Sequence, residues 1–496
     1  MVVIGAGMGG LAVAARLSAQ GHTVTVVEQS GRPGGKLETY RRDGFAFDTG
    51  PSLLTLPAVY RDLFLKTPVR RKGAALEDNV DLQGLDTAFR YRWADGAEAL
   101  LPGSNSNRVA AALADALGGD AESEWQRFSR RAADIWAVTR VPFLEAPVSG
   151  LRDLSRHLLN PHAIRTVAPW QTLRGLARAH FTDPRLVTLT DRYATYTGSD
   201  PRKAPAALAV IPFVEQTFGA WHVGGGLGEL GDAVFRRCVE RGVTFRFGSA
   251  VSRVTTSGDT VSGVVLEGGE QLRADVVVSD ADAETLYGAL LDHPAAAREH
   301  RRIARQQRSL SGFVMMLAVK GTTPGLQHHN VFFPERYDDE FDAIFGRDPS
   351  PPDDPAVYVC SPDDDAMRPP GHEAWFVLVN TPPHDPSGGV DWRDGALVDG
   401  YRDLILARLA ERGVDVRDRV LWHEVRSPAD LADRTWSPGG AIYGTASNGR
   451  RSALSRPANR SPVRGLFLVG GSTHPGGGLP LVGMSAAIVA GLVGNA

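Results

Sequence analysis

Cysteine is nearly absent: Cys238 and Cys360 are the only two in 496 residues. They stand far apart and form no CxxC pair, which argues against a disulfide framework and a structural zinc site and leaves the reducing cytoplasm as the default compartment. An excess of charge of either sign is also missing. The 54 Lys and Arg face 57 Asp and Glu, a net charge of −3, so no global electrostatic footprint for nucleic acid exists. At the N-terminus no basic segment precedes the apolar residues, and glycines interrupt them at once, so Val2–Ile4 reads as a strand and not as a signal peptide. Residues 465–493 contain no Asp, Glu, Lys or Arg, yet they are no membrane span. Pro475, Pro480 and Gly476-Gly477-Gly478 break the run, and the tail from Leu481 is too short to cross a bilayer. It reads as a buried helix. No internal repeat is visible.

What is present is an ordinary globular composition, 43% apolar and 22% charged, with length enough for two or three domains. The chemistry is concentrated in glycine turns. Val2-Val3-Ile4 runs into Gly5-Ala6-Gly7-Met8-Gly9-Gly10. Leu11, Ala14, Ala15 and Leu17 then predict a helix over residues 11–20, followed by a strand over residues 23–27 that ends at Glu28. Gly5 permits the tight turn, Gly7 lets a pyrophosphate approach the backbone, and Gly10 lets helix and strand pack closely, with Gly9 in the same turn. The helix start offers unpaired N–H groups to phosphate. A carboxylate at Glu28 can accept both ribose hydroxyls and would repel a 2′-phosphate, which disfavours NADP.

Shortly after, Arg32-Pro33-Gly34-Gly35-Lys36 combines small residues with two cations. Asp48-Thr49-Gly50-Pro51-Ser52 is another turn with little side-chain bulk. At the far end of the chain, Leu466-Phe467-Leu468-Val469 breaks into Gly470-Gly471, passes His474, and enters a helix near Gly478-Leu479-Pro480-Leu481-Val482. Two such turns at opposite ends of one chain predict FAD held along its whole length. The second helix would aim N–H groups at the flavin pyrimidine edge and stabilise negative charge on the reduced ring. No acid follows Gly470-Gly471, so the ribityl chain has no obvious carboxylate partner. Between the ends, residues 105–180 read as helical, and strands are predicted over residues 243–247, 251–254, 261–266 and 276–278. Residues 349–370, rich in Pro and Asp, read as an exposed loop, with Asp363-Asp364-Asp365 a solvated charge run.

These blocks resemble the glutathione-reductase-like flavoproteins in their amine-oxidase and carotenoid-desaturase branch. The resemblance narrows to the bacterial and fungal phytoene desaturase family and covers nearly the whole chain. It is carried by Phe47-Asp48-Thr49-Gly50-Pro51-Ser52, Trp221-His222-Val223-Gly224-Gly225-Gly226, Ala274-Asp275-Val276-Val277-Val278-Ser279-Asp280-Ala281-Asp282, His328-His329-Asn330-Val331-Phe332-Phe333, Val357-Tyr358-Val359-Cys360, Arg456-Pro457-Ala458-Asn459-Arg460 and Thr473-His474-Pro475-Gly476-Gly477-Gly478. Arg192-Tyr193-Ala194-Thr195-Tyr196-Thr197-Gly198 is nearer to hydroxy-carotenoid dehydrogenases. The resemblance implies an α/β fold: a Rossmann-like FAD-binding domain from 1–75, 220–290 and 460–496, an inserted mixed-sheet substrate domain from 76–104 and 291–459, and a helical lid from 105–219. In that branch the position of Val251 contacts adenine through its backbone, although a core strand residue would look the same.

The implied chemistry is removal of two hydrogens from an allylic C–C bond of a polyene, phytoene-like or hydroxylated, with hydride passing to flavin N5 and O2 or a quinone as electron acceptor. No Ser/His/Asp triad or metal cluster is visible. His328-His329 is adjacent and not at ligand spacing, and no catalytic side chain is assigned. His474, Tyr196 and Trp221 are candidates for the substrate channel. A polyene comes from a membrane. Arg152, Arg156, Arg165, Arg174 and Arg178, interleaved with apolar residues such as Leu151, Trp170, Leu173 and Phe181, form a candidate surface for anionic lipid, or else an amphipathic lid. The implied location is cytoplasmic, at the inner face of the cell membrane. A soluble amine or amino-acid oxidase, a carotenoid isomerase or saturase, and a flavin-free lipid-binding relative remain as alternatives. Oligomeric state is open.

Overall fold

The computed structural model describes residues 1–69, 73–148, 160–449 and 452–496. Five short strands form an all-parallel sheet in the spatial order Leu466–Leu468, Val277–Ser279, Val2–Ile4, Thr25–Val27, Thr244–Arg246. Ile4 pairs with Val27 and Ser279, and Ser279 with Leu468, so the strands end level. A parallel sheet covered on both faces needs apolar side chains on both, which is why Val2–Ile4 is apolar without alternation and wholly buried. Val3, Val26 and Val278 meet the helices Met8–Ala19, Gly228–Glu240 and Leu479–Val493 on one face. Val2, Ile4, Val277 and Leu468 meet an antiparallel sheet of Val251–Ser257, Thr260–Leu266 and Gln271–Arg273 on the other. A Cβ at Gly10 would strike the Gly5 carbonyl, so glycine there sets how closely the first helix approaches its strand.

A second sheet has seven strands, in the order Val420–Arg426, Ser311–Lys320, His372–Thr381, Val357–Cys360, His329–Phe332, Thr87–Arg92, Glu98–Pro102. It is mixed, because His329–Phe332 runs parallel to Thr87–Arg92 while the other pairs are antiparallel. Strand Ser311–Lys320 shows the period of two directly. Phe313, Met315, Leu317 and Val319 face one core with the helix Gly395–Glu411, and Val314, Met316 and Ala318 face the other. That second core joins the sheet to a helical layer that includes Ser106–Leu117, Ala121–Thr139, Leu173–His180, Pro184–Thr195 and Val210–Phe218. Trp125 and Phe128 anchor it, and truncating either to Ala would cost about 3–5 kcal/mol.

Several expectations need correction. The first helix begins at Met8, capped by Gly7, because the glycine run itself supplies the first turn. Residues 349–370 are not one exposed loop: Val357–Cys360 is a wholly buried strand in the middle of the large sheet. Its Pro- and Asp-rich flanks had masked four apolar residues. The tail is a helix, Leu479–Val493, and no helix among the described residues is long and apolar enough to cross a membrane. The basic segment is not a uniform surface. Arg152, Arg156 and Leu151 lie outside the described residues. Arg174, Leu173 and Phe181 are buried, and Arg174 pairs with Asp191 and Asp338, both at 2.5 Å. Arg165, Arg178 and Trp170 are exposed.

Candidate active site

Open parallel sheets bind ligands at the carboxyl ends of their strands. Here those ends deliver Gly5, Glu28, Asp280 and Gly470 to one edge. Glu28 is fixed by two backbone donors, Ala6 N–H to Oε2 at 2.6 Å and Ser30 N–H to Oε1 at 2.8 Å. The segment leading into Val251 docks beside it, through Gly248 N–H to the Ser30 carbonyl and Ser249 N–H to the Glu28 carbonyl, both 2.8 Å. Val251 itself is buried. Gly34 N–H donates to the Ala6 carbonyl at 2.9 Å, and a Cβ on Gly35 would come to 3.1 Å of the Gly7 Cα, so the Gly34-Gly35 turn lies directly on the first glycine turn. Gly50 packs on the Lys36 carbonyl.

Two predicted cations behave differently. Arg32 pairs with Glu38, points to solvent, and is not brought to the turn. Lys36 donates to the carbonyl of Ile442 at 2.9 Å and so ties the glycine turns to the segment before Tyr443. Burial lowers its ammonium below the ordinary value, opposed by Asp282 and Asp280. Nothing in the linear sequence marks Asp280 as a site residue. Its carboxyl faces Gly7, Gly9 and Gly470, and burial pushes it up to about 8, with Glu28 adding and Gly10 N–H and Lys36 opposing. The residue as a whole is partly exposed.

The far turn completes the groove. Gly470 has φ +105°, Gly471 packs near Gly477, and Gly478 precedes a helix with Pro480 in its first turn and no side-chain cap. Val482 N–H closes that first turn on the Gly478 carbonyl. The helix Met8–Ala19 likewise starts without a side-chain cap or an early acid. Two uncapped helix starts, turns that admit no Cβ, and a fixed carboxylate at Glu28 fit FAD, whose phosphates would lie at Gly5–Gly10, ribose at Glu28 and flavin edge at the start of the helix Leu479–Val493, where the Val482 N–H is already used within the helix. Arg456 braces this end, donating to the carbonyls of Tyr443, Gly471 and Thr445 at 3.0–3.2 Å.

The substrate-side candidates go to separate networks. His474 donates from Nε2 to the Ala146 carbonyl at 3.0 Å and packs edge-on against Phe143, so it grips the helical layer. Trp221 donates to the Phe218 carbonyl and covers Gly84, which makes it a local packing residue. Tyr196 joins a buried cluster in which Tyr193 and Tyr196 donate to the two oxygens of Glu215 at 2.7 and 3.3 Å, and burial pushes Glu215 up to about 7. Tyr358, hidden in the misread loop, shares hydrogen bonds with Ser52 at 2.6 Å and His329 at 2.7 Å. Asp364 is not a solvated charge, because it accepts from His222 Nε2 at 2.9 Å and Gly225 N–H at 2.7 Å. The donor atoms of His328, His329 and Cys360 converge to within 4.8 Å, a closeness the linear spacing concealed. Ligands on one tetrahedral ion sit roughly 3.3–3.8 Å apart, and the Nδ1 of His329 is already used by Tyr358, while the Nε2 atoms of His328 and His329 have no partner among the described residues.

The family model for flavin containing amine oxidoreductases matches residues 8–493. A 4,4'-diapolycopene oxygenase from Methylomonas sp is 30% identical over 99% of this chain and 97% of its own length. A hydroxyneurosporene desaturase from Rubrivivax gelatinosus is 33% identical over 99% and 92%. Among solved structures, an oxidoreductase from Methanosarcina mazei shares the fold with TM-score 0.63 and 16% identity, over 98% of both chains. Glycine turns, strand-end acid and full-length similarity agree: the chain belongs to the flavin-containing amine oxidoreductase family and is an FAD-dependent oxidoreductase.

Proposed function

We propose that the chain is a carotenoid desaturase that removes two hydrogens from an allylic C–C bond of a polyene. Full-length similarity to enzymes named for carotenoid chemistry supports this. The observation that carries it is the wall beside the cofactor turns. Tyr358 is bonded to Ser52, and Arg192 stands as a buried cation over the Tyr358 and Tyr196 rings. A fixed cation opposes an ammonium substrate, and the nearby Glu215 has both oxygens occupied, which disfavours the amine-oxidase alternative. The bound flavin would supply hydride acceptance. The chain's own residues position the polyene and exclude water, and the start of the helix Leu479–Val493 favours negative charge at the flavin edge. Charge developing on the substrate spreads along the conjugated chain, so no dedicated acid–base pair is required.

The same reading includes the three-part domain division given above and peripheral attachment to the inner face of the cell membrane, supported by exposed Arg165, Trp170 and Arg178. It also includes O2 or a quinone as acceptor. The test is anaerobic mixing of the FAD-loaded protein with polyene in liposomes. Flavin bleaching with a product carrying one more double bond is the expected outcome. Isomerised product without net bleaching would replace desaturase by isomerase, and bleaching by amines alone would restore the oxidase alternative.

A further inference from the structure

Three polar groups deep in the wall beside the cofactor turns make no well-formed hydrogen bond among the described residues: Arg192 Nε, Tyr91 Oη and Tyr337 Oη, with Tyr91 lying close to both Arg192 and Tyr193. They come from three separate elements, the helix Pro184–Thr195, the strand Thr87–Arg92 and the helix Tyr337–Phe345. Exposure is 8% for Arg192, 0% for Tyr91 and 6% for Tyr337, so all three are at least nine-tenths buried. The guanidinium lies 5.6 Å from the Tyr196 ring and 5.5 Å from the Tyr358 ring, with Tyr91 and Tyr337 in electrostatic range. It makes no ion pair among the described residues. Tyr358 links the cluster to Ser52 in the Gly50-Pro51-Ser52 turn.

Buried polar groups in native proteins are almost always hydrogen-bonded, and ring faces compensate a guanidinium only in part. Three orphans converging from distant parts of the chain therefore call for a ligand that supplies what they lack. Arg192 can only donate, whereas a phenol can donate or accept. A hydroxyl satisfies both kinds at once, since its oxygen accepts from Arg192 while its proton goes to a phenol oxygen. A carbonyl satisfies the donors. A carboxylate fits less well, because a second full charge would have to be desolvated on its way into an apolar core.

We propose that Arg192, Tyr91 and Tyr337 form a subsite for a neutral oxygen, a hydroxyl or carbonyl, carried near the end of the polyene that enters the site. This rests on the polyene reading above and narrows it to oxygen-bearing substrates. Tyr196 and Tyr358 shape the subsite, and Arg192 acts as a specificity-determining residue without taking part in bond-making.

The experiment compares a linear polyene hydrocarbon with the same skeleton bearing a terminal tertiary hydroxyl. Holoenzyme is tested as wild type, Arg192→Met, Tyr91→Phe and Tyr337→Phe, with FAD content and melting temperature as fold controls. Two readouts are taken: dissociation constant from flavin fluorescence, and single-turnover flavin reduction. The wild type should bind the hydroxylated polyene at least about tenfold more tightly than the hydrocarbon. Arg192→Met should abolish that preference, and each Phe variant should reduce it about threefold. If Arg192→Met fails to fold, the two Phe variants decide. Equal wild-type affinity for both polyenes, or equal loss on both in the variants, overturns the subsite. A hydroxyl preference that the variants erase, with no flavin reduction by either polyene, would instead overturn the desaturase reading and leave the subsite standing.

Discussion

The imidazole of His474 donates to the main-chain carbonyl of Ala146, joining the flavin-end turn to the helical layer across most of the sequence. Burial pulls its pKa down to about 4, so the ring is neutral at pH 7 and its Nε2 proton is already committed. We expect His474→Ala to retain FAD and to slow single-turnover flavin reduction by less than about tenfold, below the 10²–10⁴ that a general base contributes. A loss near 10³ with FAD bound would make this histidine a proton acceptor. The pH sign follows from the lowered pKa. The contribution of His474 to stability is complete above the unfolded value near 6.5 and is lost as pH falls towards about 4. Proteolysis of the Phe143–Ala146 segment should therefore rise at acid pH in the wild type and be high at every pH in the alanine variant.

Asp280 makes the opposite case. Burial raises its carboxyl from 3.8 to about 8 among the glycines expected to carry pyrophosphate. The protonated form is favoured in the fold, so its contribution is full below 3.8 and is lost as pH rises through about 8. Above that value a carboxylate would face the phosphates. FAD retention on desalting should fall between pH 7 and 9, and Asp280→Asn should remove the fall without weakening binding at pH 6. An unchanged pH profile in the Asn variant would show that Asp280 does not face the cofactor.

What the sequence discloses is local. Gly5, Gly7 and Gly10 are legible because each position demands glycine for a backbone reason that neighbouring residues announce. Glu28 is legible because it closes an apolar run. Asp280 is not, since its role depends on strand order, which sets residue 280 beside residues 7 and 470. Tyr358 was obscured as a site residue by its Pro- and Asp-rich surroundings. Arg192 stood in a motif, but nothing in its neighbours says that the guanidinium is buried without a counter-ion. The twofold hydrogen bonding of Asp364 needed His222 and Gly225 from a distant turn.

Arg174 sharpens the membrane test. It looks like its neighbours in sequence, yet it is buried and bridges Asp191 and Asp338. Removing one partner of a buried pair costs about 3–5 kcal/mol. Arg174→Glu should therefore lower the melting temperature and say nothing about lipid. Arg165→Glu with Arg178→Glu should leave the melting temperature unchanged and reduce sedimentation with anionic liposomes, and wild-type binding should be reversed by salt. Undiminished sedimentation of that double variant would move the docking surface elsewhere.

Glu28 carries the last prediction because it does two jobs at once. Its oxygens accept from Ala6 and Ser30, which fixes the first turn, and they retain lone pairs for the ribose hydroxyls. A charge-assisted hydrogen bond is worth roughly 1.5–3 kcal/mol. Glu28→Ala should therefore weaken FAD binding by about 10- to 150-fold, measured by reconstitution of the stripped protein. Glu28→Gln keeps one acceptor oxygen. That oxygen can hold one of the two backbone N–H groups but cannot serve both hydroxyls as well, so FAD affinity should fall between wild type and Ala, and the melting temperature without cofactor should also fall between the two because one backbone N–H loses its acceptor. Equal affinity in Gln and wild type would mean that Glu28 only braces the turn and that the ribose is held by other groups.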